Sequence, residues 1–245
     1  MYLSNRDIKW AIDCGKLIVD PRPEDWKTPR GEPDPRGYDE TSIDLHLGPL
    51  NVAKVWNLDL MRDQDRARGL SVGDDEPPEI RLGSFEWDDL VRDHLKDVPE
   101  DERDSEDKAR MVFKRHHEIV VRPFGFLLWT TREKIGTPKF DLAASELQRH
   151  PELICFVNAK STKARTGLMV HFTAPTIHAG WAGHITLEIA NLGPFTFVLK
   201  EGDALAQLTV ATISSAPDLG LKKGKSKTQG QRDPSGATSA NRSTT

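Results

Sequence analysis

Apolar positions near the start of the chain recur at the spacing of an α-helix. Ile8, Ala11 and Ile12 form one apolar stripe, and polar residues separate them. Ser4 precedes the stripe and is a favourable N-cap residue, while Gly15 follows it as a natural stop. The pattern therefore predicts one short helix close to the N-terminus.

Most of the remaining apolar residues alternate with polar ones or form short runs, as they do in β-strands. These stretches lie at 43–47, 124–131, 154–157, 168–173, 185–189, 195–199 and 204–210. Glycine and proline separate them, and no repeated strand–helix–strand unit is present. Short strands with this punctuation predict a mainly β fold, either a barrel or a jelly roll.

One acidic segment interrupts the strand pattern. Residues 57–118 carry 19 acidic and 11 basic side chains, whereas the rest of the chain has a slight excess of basic ones. This composition favours a charged surface insertion that is solvated, partly mobile and without a catalytic role. Within it, the amphipathic stretch from Phe85 to Leu95 favours a helix.

A second change of composition follows Pro217. Residues 218–245 are rich in Gly, Ser, Thr, Lys and Arg and contain almost no large apolar side chains. We therefore expect a core domain at 1–217 and a flexible basic tail at 218–245. The basic charge suits a polyanionic ligand, although a tail that only increases solubility would have the same composition.

Charge, hydropathy and cysteine content exclude several classes of protein. The chain has 34 basic and 38 acidic side chains, a net charge of −4, which argues against a nucleic-acid-coating protein. No apolar run is long enough to span a membrane, and the first ten residues lack an apolar signal core. Cys14 and Cys155 are the two cysteines, which are too few for a disulfide framework and too far apart in the sequence for the P-C-x-x-C motif of the zinc deaminases. We expect a cytoplasmic protein.

Chemically active side chains concentrate between residues 159 and 191. Cations and hydroxyls cluster at its start, as phosphate recognition requires: Lys160, Ser161, Thr162, Lys163 and Arg165. Glu188 lies further along, on the polar face of a strand whose other face is apolar. From spacing alone, this carboxylate either faces solvent or lines a pocket.

Several segments resemble one enzyme family. AKSTKARTGLMVH (159–171) resembles the G-R-S-S-x-x-R-x-G-L-x-x-H segment of the deoxycytidine triphosphate (dCTP) deaminases, within the deoxyuridine triphosphatase (dUTPase)-like superfamily. IHAGWAGHITLEI (177–189) is similar to the I-D-x-G-[WF]-x-G-x-I-x-L-E segment of the same family. The stretches LSNRDI, TSIDLHLG, EGDALAQL and SKTQGQ also resemble family segments and follow in the family's order.

The resemblance implies a dUTPase-like distorted β-barrel or jelly roll that assembles as a homotrimer. Active sites would lie between subunits, and the C-terminal tail would close over the nucleotide. The implied reaction is hydrolytic deamination of dCTP to dUTP and ammonia without zinc, in the supply of dUMP and dTTP precursors. No protein-bound cofactor or metal is expected, and Mg²⁺ would accompany the triphosphate.

The resemblance also assigns residues to roles. Glu188 would shuttle protons, Ser161 and the main-chain carbonyl of Ala174 would hold the attacking water, and Arg165 would stabilise charge at the reacting centre. The implied nucleotide-binding set is Lys160, Ser161, Thr162, Lys163, Ala164, Arg165, Ala174, His178, Thr186, Leu187, Glu188, Lys227 and Gln231. His171 is expected to be a packing or subunit-contact residue.

Four departures from the family pattern affect these expectations. His178 replaces an aspartate that contacts the deoxyribose and, in the triphosphatases, orients the attacking water. Lys160 replaces an arginine, and Thr228 and Gly220 stand where tyrosines are expected in the tail. We therefore expect dUTP as the product. The alternatives are a bifunctional enzyme that continues to dUMP and a non-catalytic nucleotide-binding module.

Overall fold

A computed structural model describes residues 1–27, 31, 37–74, 76–80, 86–100, 111–138, 153–171, 173–215 and 228–236. The helices are α1 (Asn5–Asp13), α2 (Leu58–Ala67), α3 (Trp87–Asp93) and α4 (Ser161–Ala164). The strands are β1 (Ile18–Asp20), β2 (Ser42–His46), β3 (Lys54–Trp56), β4 (Leu95–Asp97), β5 (Val112–Arg115), β6 (Glu118–Val121), β7 (Phe126–Gly136), β8 (Leu153–Ala159), β9 (Leu168–Val170), β10 (Thr176–Ile177), β11 (Ala182–Asn191), β12 (Phe197–Leu199) and β13 (Ala204–Thr212). The predicted mainly β fold is confirmed.

The strands form three sheets, and the pairings between these strands are antiparallel. The largest sheet has the order β4-β3-β7-β11-β9, with β1 also paired to β7. The second sheet has the order β10-β8-β13-β2, and the third has the order β12-β6-β5. One core cluster of buried apolar side chains joins residues of all three sheets, among them Trp129, Val157 and Ile119.

The predicted N-terminal helix is confirmed together with its cap. The Ser4 hydroxyl accepts a hydrogen bond from the backbone N–H of Asp7, and α1 buries Ile8, Ala11 and Ile12. Gly15 follows the helix with a φ of +70°, a conformation that suits glycine at a helix end. The helix therefore packs on the core through the stripe that the sequence predicts.

The acidic segment is more ordered than its composition suggests. Within its described part, β4 pairs with β3 in the main sheet, with Trp56 opposite Leu95. The backbone N–H of Asn57 donates to the carbonyl of His94 at 2.8 Å, so β3 and β4 form a hairpin interrupted by α2 and α3. The interpretation as a solvated loop is therefore wrong for these residues, while the helix predicted between Phe85 and Leu95 is confirmed as α3.

We call residues 58–94 the helical excursion of this hairpin. His94 ties its two helices together: its Nε2 lies 2.8 Å from Gln64 Oε1, and its Nδ1 lies 3.0 Å from the carbonyl of Leu90. Leu90 is buried, so α3 is anchored by packing as well as by polar contacts. None of the helices in the described part of the chain is long and apolar enough to cross a membrane.

Candidate active site

The main sheet has one face in the core and one face that forms the floor of a cleft. On β11, Leu187 and Ile189 are fully buried, whereas Thr186 and Glu188 point to the other side. Glu188 lies opposite Leu128 of β7, and both residues line the cleft. The alternation of strand residues therefore brings Glu188 into the cleft. Of the two alternatives that the sequence left open, solvent or pocket, the structure has the pocket.

The cleft has a volume of about 950 Å³, near the upper end of the usual range for small-molecule sites. Phe126 and Leu128 continue its floor towards Trp56 at the end of β3. Its walls come from α3, from the segment 174–181 and from residues 228–236 of the tail. The helical excursion thus contributes directly to the cleft.

Glu188 is held by a histidine from the neighbouring strand. His171 follows β9, and its Nδ1 lies 2.9 Å from Glu188 Oε2. The two residues are also joined through the backbone, because the N–H of His171 donates to the carbonyl of Glu188 at 2.9 Å. His171 is 6% exposed and Glu188 is 32% exposed, so the carboxylate is the more open of the two groups, although both residues line the cleft.

The tail docks along an open stretch of β11. Strand β9 pairs only with Ile189 to Asn191, which leaves the start of this edge without a strand partner among the described residues. There the N–H of His184 donates to the carbonyl of Gln231 at 3.0 Å, and Gln231 Nε2 donates to the carbonyl of His184 at 2.8 Å. Gln231 therefore lies beside the floor of the cleft. Lys227 lies outside the described residues.

Thr186 lies between the docked tail and His171. Its hydroxyl accepts a hydrogen bond from Gln231 Nε2 at 3.2 Å. Because alternate residues of a strand direct their backbone groups to opposite edges, the N–H and C=O of Thr186 face the open edge and those of Leu187 face β7. Both residues belong to the implied nucleotide-binding set. The backbone groups of Thr186 are directed to the open edge, whereas the side chain of Leu187 is buried in the core.

Ala174 and His178 also line the cleft, so the structure brings them together with Glu188. The peptide after His178 forms a tight turn, in which the N–H of Trp181 donates to the carbonyl of His178 at 3.1 Å. Trp181 Nε1 donates to Thr228 Oγ1 at 3.2 Å and so ties this turn to the tail.

The predicted phosphate-binding cluster lies apart from the cleft. The segment from Lys160 to Arg165, which includes Ser161, Thr162, Lys163 and Ala164, forms α4 and its flanks and is not part of the cleft lining. Lys160 Nζ lies 2.5 Å from both carboxylate oxygens of Asp44 on β2. The guanidinium of Arg165 has no ion-pair partner among the described residues.

Within one chain, the charge of the cleft does not suit a free triphosphate. Arg92 is the sole lysine or arginine in the described lining, and it lies 2.8 Å from Asp89 and 2.7 Å from Asp93. Glu188 adds a further carboxylate. Among the residues that the structure describes, no cluster of three or more His, Cys, Asp or Glu side chains is arranged to hold a metal ion.

Several residues that line the cleft were not predicted from the sequence. Among them, Trp56, Asp89, Val91 and Arg92 belong to the interrupted hairpin, and the composition of its acidic part, from residue 57 onwards, indicated surface rather than site. The pairing of His171 with Glu188 depends on the register between β9 and β11, which no local pattern specifies. The only sequence feature that pointed to this pairing was His171 itself, which ends the 159–171 segment that resembles the family.

Comparison with known proteins identifies the family of the chain. A family model described as dCTP deaminase-like matches residues 79–213. A dCTP deaminase from Natronomonas pharaonis is 30% identical over 193 residues, which cover 71% of this chain and 92% of that protein. A dCTP deaminase, dUMP-forming, from Corynebacterium jeikeium is 28% identical over 240 residues, which cover 96% of this chain and 94% of that protein.

Among solved structures, a 2′-deoxycytidine 5′-triphosphate deaminase from Agrobacterium tumefaciens is similar, with a TM-score of 0.47 and 17% identity. The match covers 85% of this chain and 47% of that chain, so the chain spans about half its length. The antiparallel sheets and the glutamate-lined cleft define a mainly β protein with a carboxylate on the floor of a cleft. The matches to the family model and to the curated relatives show that the chain belongs to the dCTP deaminase-like family.

Proposed function

We propose that this protein catalyses the hydrolytic deamination of dCTP. The observation that carries the proposal is the carboxylate of Glu188, which lies on the floor of a cleft within hydrogen-bond distance of a buried histidine. Glu188 also stands at the glutamate position of the segment that resembles the family. Of the two relatives described above, one is named dCTP deaminase and the other dCTP deaminase, dUMP-forming.

The chemistry needs one group that moves protons in both directions. Water must lose a proton as it attacks C4 of cytosine, ring atom N3 must gain one, and the amino group must leave as ammonia. In the proposal, Glu188 takes the proton from water and passes it to N3, and then delivers the second proton of the water to the leaving amine. The carbonyl of Ala174 and the hydroxyl of Ser161 would hold the water, and the backbone of Thr186 would contact the base edge.

The triphosphate requires cations that the cleft of one chain does not provide. Arg92 is already neutralised by Asp89 and Asp93, whereas Arg165 has no ion-pair partner in the described part of the chain. We therefore propose a homotrimer in which the cleft of one protomer receives Ser161 and Arg165 from the next. The tail residues Lys227 and Gln231 would close over the nucleotide, with His178 near the sugar.

The other members of the proposed phosphate site are Lys160, Thr162, Lys163 and Ala164 of the same segment. Mg²⁺ is expected to arrive with the triphosphate and to neutralise part of its charge, while the protein itself holds no metal in this scheme. The proton transfers are assigned to Glu188 alone.

The proposed product is dUTP. Cleavage of the triphosphate would need a second oriented water, and the aspartate that the family motif offers for this purpose is replaced by His178 in the cleft lining. A second candidate is favoured by the comparison, because the relative matched over 96% of this chain is named dUMP-forming. In that case another group of the cleft would orient the second water.

One experiment separates these functions. The purified protein is incubated with dCTP and Mg²⁺, the nucleotides are resolved by ion exchange, and ammonia is measured. dUTP with ammonia supports the proposal, dUMP supports the second candidate, and tight binding without turnover would identify a non-catalytic nucleotide-binding module.

Matched variants test the role of the carboxylate. Glu188→Gln should lower kcat about 10²- to 10⁴-fold, the usual contribution of acid–base catalysis, while the nucleotide Kd changes less than about tenfold. Glu118→Gln is the control, because Glu118 is a half-exposed carboxylate on β6 outside the cleft lining. Retained turnover in Glu188→Gln would contradict the assignment.

A further inference from the structure

His171 is the one histidine of the cleft that touches the proposed catalytic carboxylate. It is joined to Glu188 twice, through Nδ1 to Oε2 and through its backbone N–H to the carbonyl, each at 2.9 Å. Such a double attachment fixes the position of the imidazole relative to the carboxylate. The side chain of His171 is 6% exposed, so it is mostly buried beside the carboxylate.

The backbone of His171 adopts a conformation that non-glycine residues use rarely. Its φ is +51°, in the left-handed region. Strained residues of this kind persist where the surrounding structure determines them, and they concentrate at functional sites. Here the conformation turns the chain out of β9 immediately after Val170 and directs the imidazole towards Glu188.

The second ring nitrogen indicates which protonation state the pair adopts. Nε2 of His171 is buried and has no hydrogen-bond partner among the described residues. A protonated imidazole would bury an N–H without an acceptor there, which is costly, whereas a neutral ring leaves only a lone pair at Nε2. The neutral ring then carries its proton on Nδ1 and donates it to Glu188.

We propose that His171 is a positioning residue that keeps Glu188 ionised and correctly oriented before water attack. This inference rests on the proposed function, because it assigns to Glu188 the role of general base. A hydrogen bond donated to a carboxylate stabilises its charged form. The histidine keeps its own proton throughout the reaction, so Glu188 alone gains and loses protons. The other titratable groups facing the cleft are Asp89, Arg92 and His178.

The test uses His171→Phe, which keeps a ring but removes the donor, and His171→Asn. Asparagine has an amide donor and tolerates the left-handed backbone conformation better than most residues. Loss of one charge-assisted hydrogen bond should lower kcat of His171→Phe about 10- to 100-fold, with KM within about threefold. The acidic limb of its pH–rate profile should move to higher pH. His171→Asn should recover most of kcat.

His46→Asn is the matched control. His46 Nδ1 lies 2.8 Å from Glu133 Oε1 in another mostly buried histidine–glutamate pair, and neither residue lines the cleft. This variant should lower the melting temperature without moving the pH–rate profile. An unchanged kcat and profile in a folded His171→Phe protein would overturn the inference.

A spectroscopic readout keeps the inference testable if the variants fold poorly or if the protein does not deaminate dCTP. The ¹⁵N NMR signals of the wild-type His171 ring should report a neutral imidazole with the proton on Nδ1, and Glu188→Gln should shift them. Signals of a protonated ring, or of a proton on Nε2, would overturn the inference. Absence of dCTP turnover with the expected signals would instead count against the proposed function alone.

Discussion

The ion pair between Lys160 and Asp44 allows two roles of one predicted phosphate ligand to be separated. Lys160 Nζ lies 2.5 Å from both oxygens of Asp44, and the pair joins the residue before α4 to strand β2. Asp44→Asn removes the ion pair but keeps the ammonium group. Lys160→Met removes both, so the difference between the two variants reports any contact of the ammonium with phosphate.

The exposure of the pair sets the expected loss of stability. The side chains of Lys160 and Asp44 are 28% and 18% exposed. Exposed pairs contribute about 0–1 kcal/mol, and breaking a fully buried pair costs about 3–5 kcal/mol. We therefore expect Asp44→Asn to lower the free energy of unfolding by about 2 kcal/mol. For a chain of this length that corresponds to a melting temperature lower by about 4–8 °C.

Thermal denaturation and steady-state kinetics provide the assay. Both variants should have a lower melting temperature than the wild type. KM for dCTP should rise about tenfold more in Lys160→Met than in Asp44→Asn, because only Lys160→Met loses a charge-assisted contact to phosphate. Asp97→Asn is the control: Lys54 Nζ lies 2.5 Å from Asp97, which is 70% exposed, so its loss should cost less than about 1 kcal/mol. Equal KM values in the two test variants would refute the phosphate role of Lys160, and an unchanged melting temperature in Asp44→Asn would refute the structural role.

The other predictions concern pH, thiol reactivity and the tail. The hydrogen bond from Lys54 holds the pKa of Asp97 below its ordinary value. The small stabilisation from this pair is therefore present above about pH 4 and is lost as the pH falls further. The melting-temperature difference between wild type and Asp97→Asn should shrink as the pH is lowered below about 4. Burial raises the pKa of the Cys155 thiol to about 12. A thiol reagent at neutral pH should therefore label one cysteine of the native protein, the exposed Cys14. Rapid labelling of both cysteines would contradict the burial of Cys155. Deleting residues 222–245 should raise KM for dCTP about tenfold or more and change the melting temperature by only a few degrees, whereas an unchanged KM would exclude a closing role for the tail.

The features that the sequence predicted are those that local patterns determine. The helix α1 is specified by Ser4, its apolar stripe and Gly15, which lie within twelve residues. Strand β11 is specified by alternation, and the same alternation puts Glu188 on the face opposite Leu187. Neither feature depends on which other strands lie alongside.

The features that the sequence did not predict depend on pairing between distant segments. Strands β3 and β4 are short and separated by the helical excursion, so no local alternation identifies them as partners. The contact of His171 with Glu188 needs the register of β9 on β11. The docking of Gln231 depends on the part of β11 that β9 leaves uncovered, which follows only from the assembled sheet.

In the proposed trimer, Glu188 of one protomer must act together with Arg165 of the next. The most direct test of this arrangement mixes two inactive variants, Glu188→Gln and Arg165→Ala, by refolding or coexpression. Random assembly of a symmetric trimer should place both intact residues in about one quarter of the sites, so deamination should recover to about a quarter of the wild-type rate. No recovery in mixed trimers would contradict a site shared between protomers.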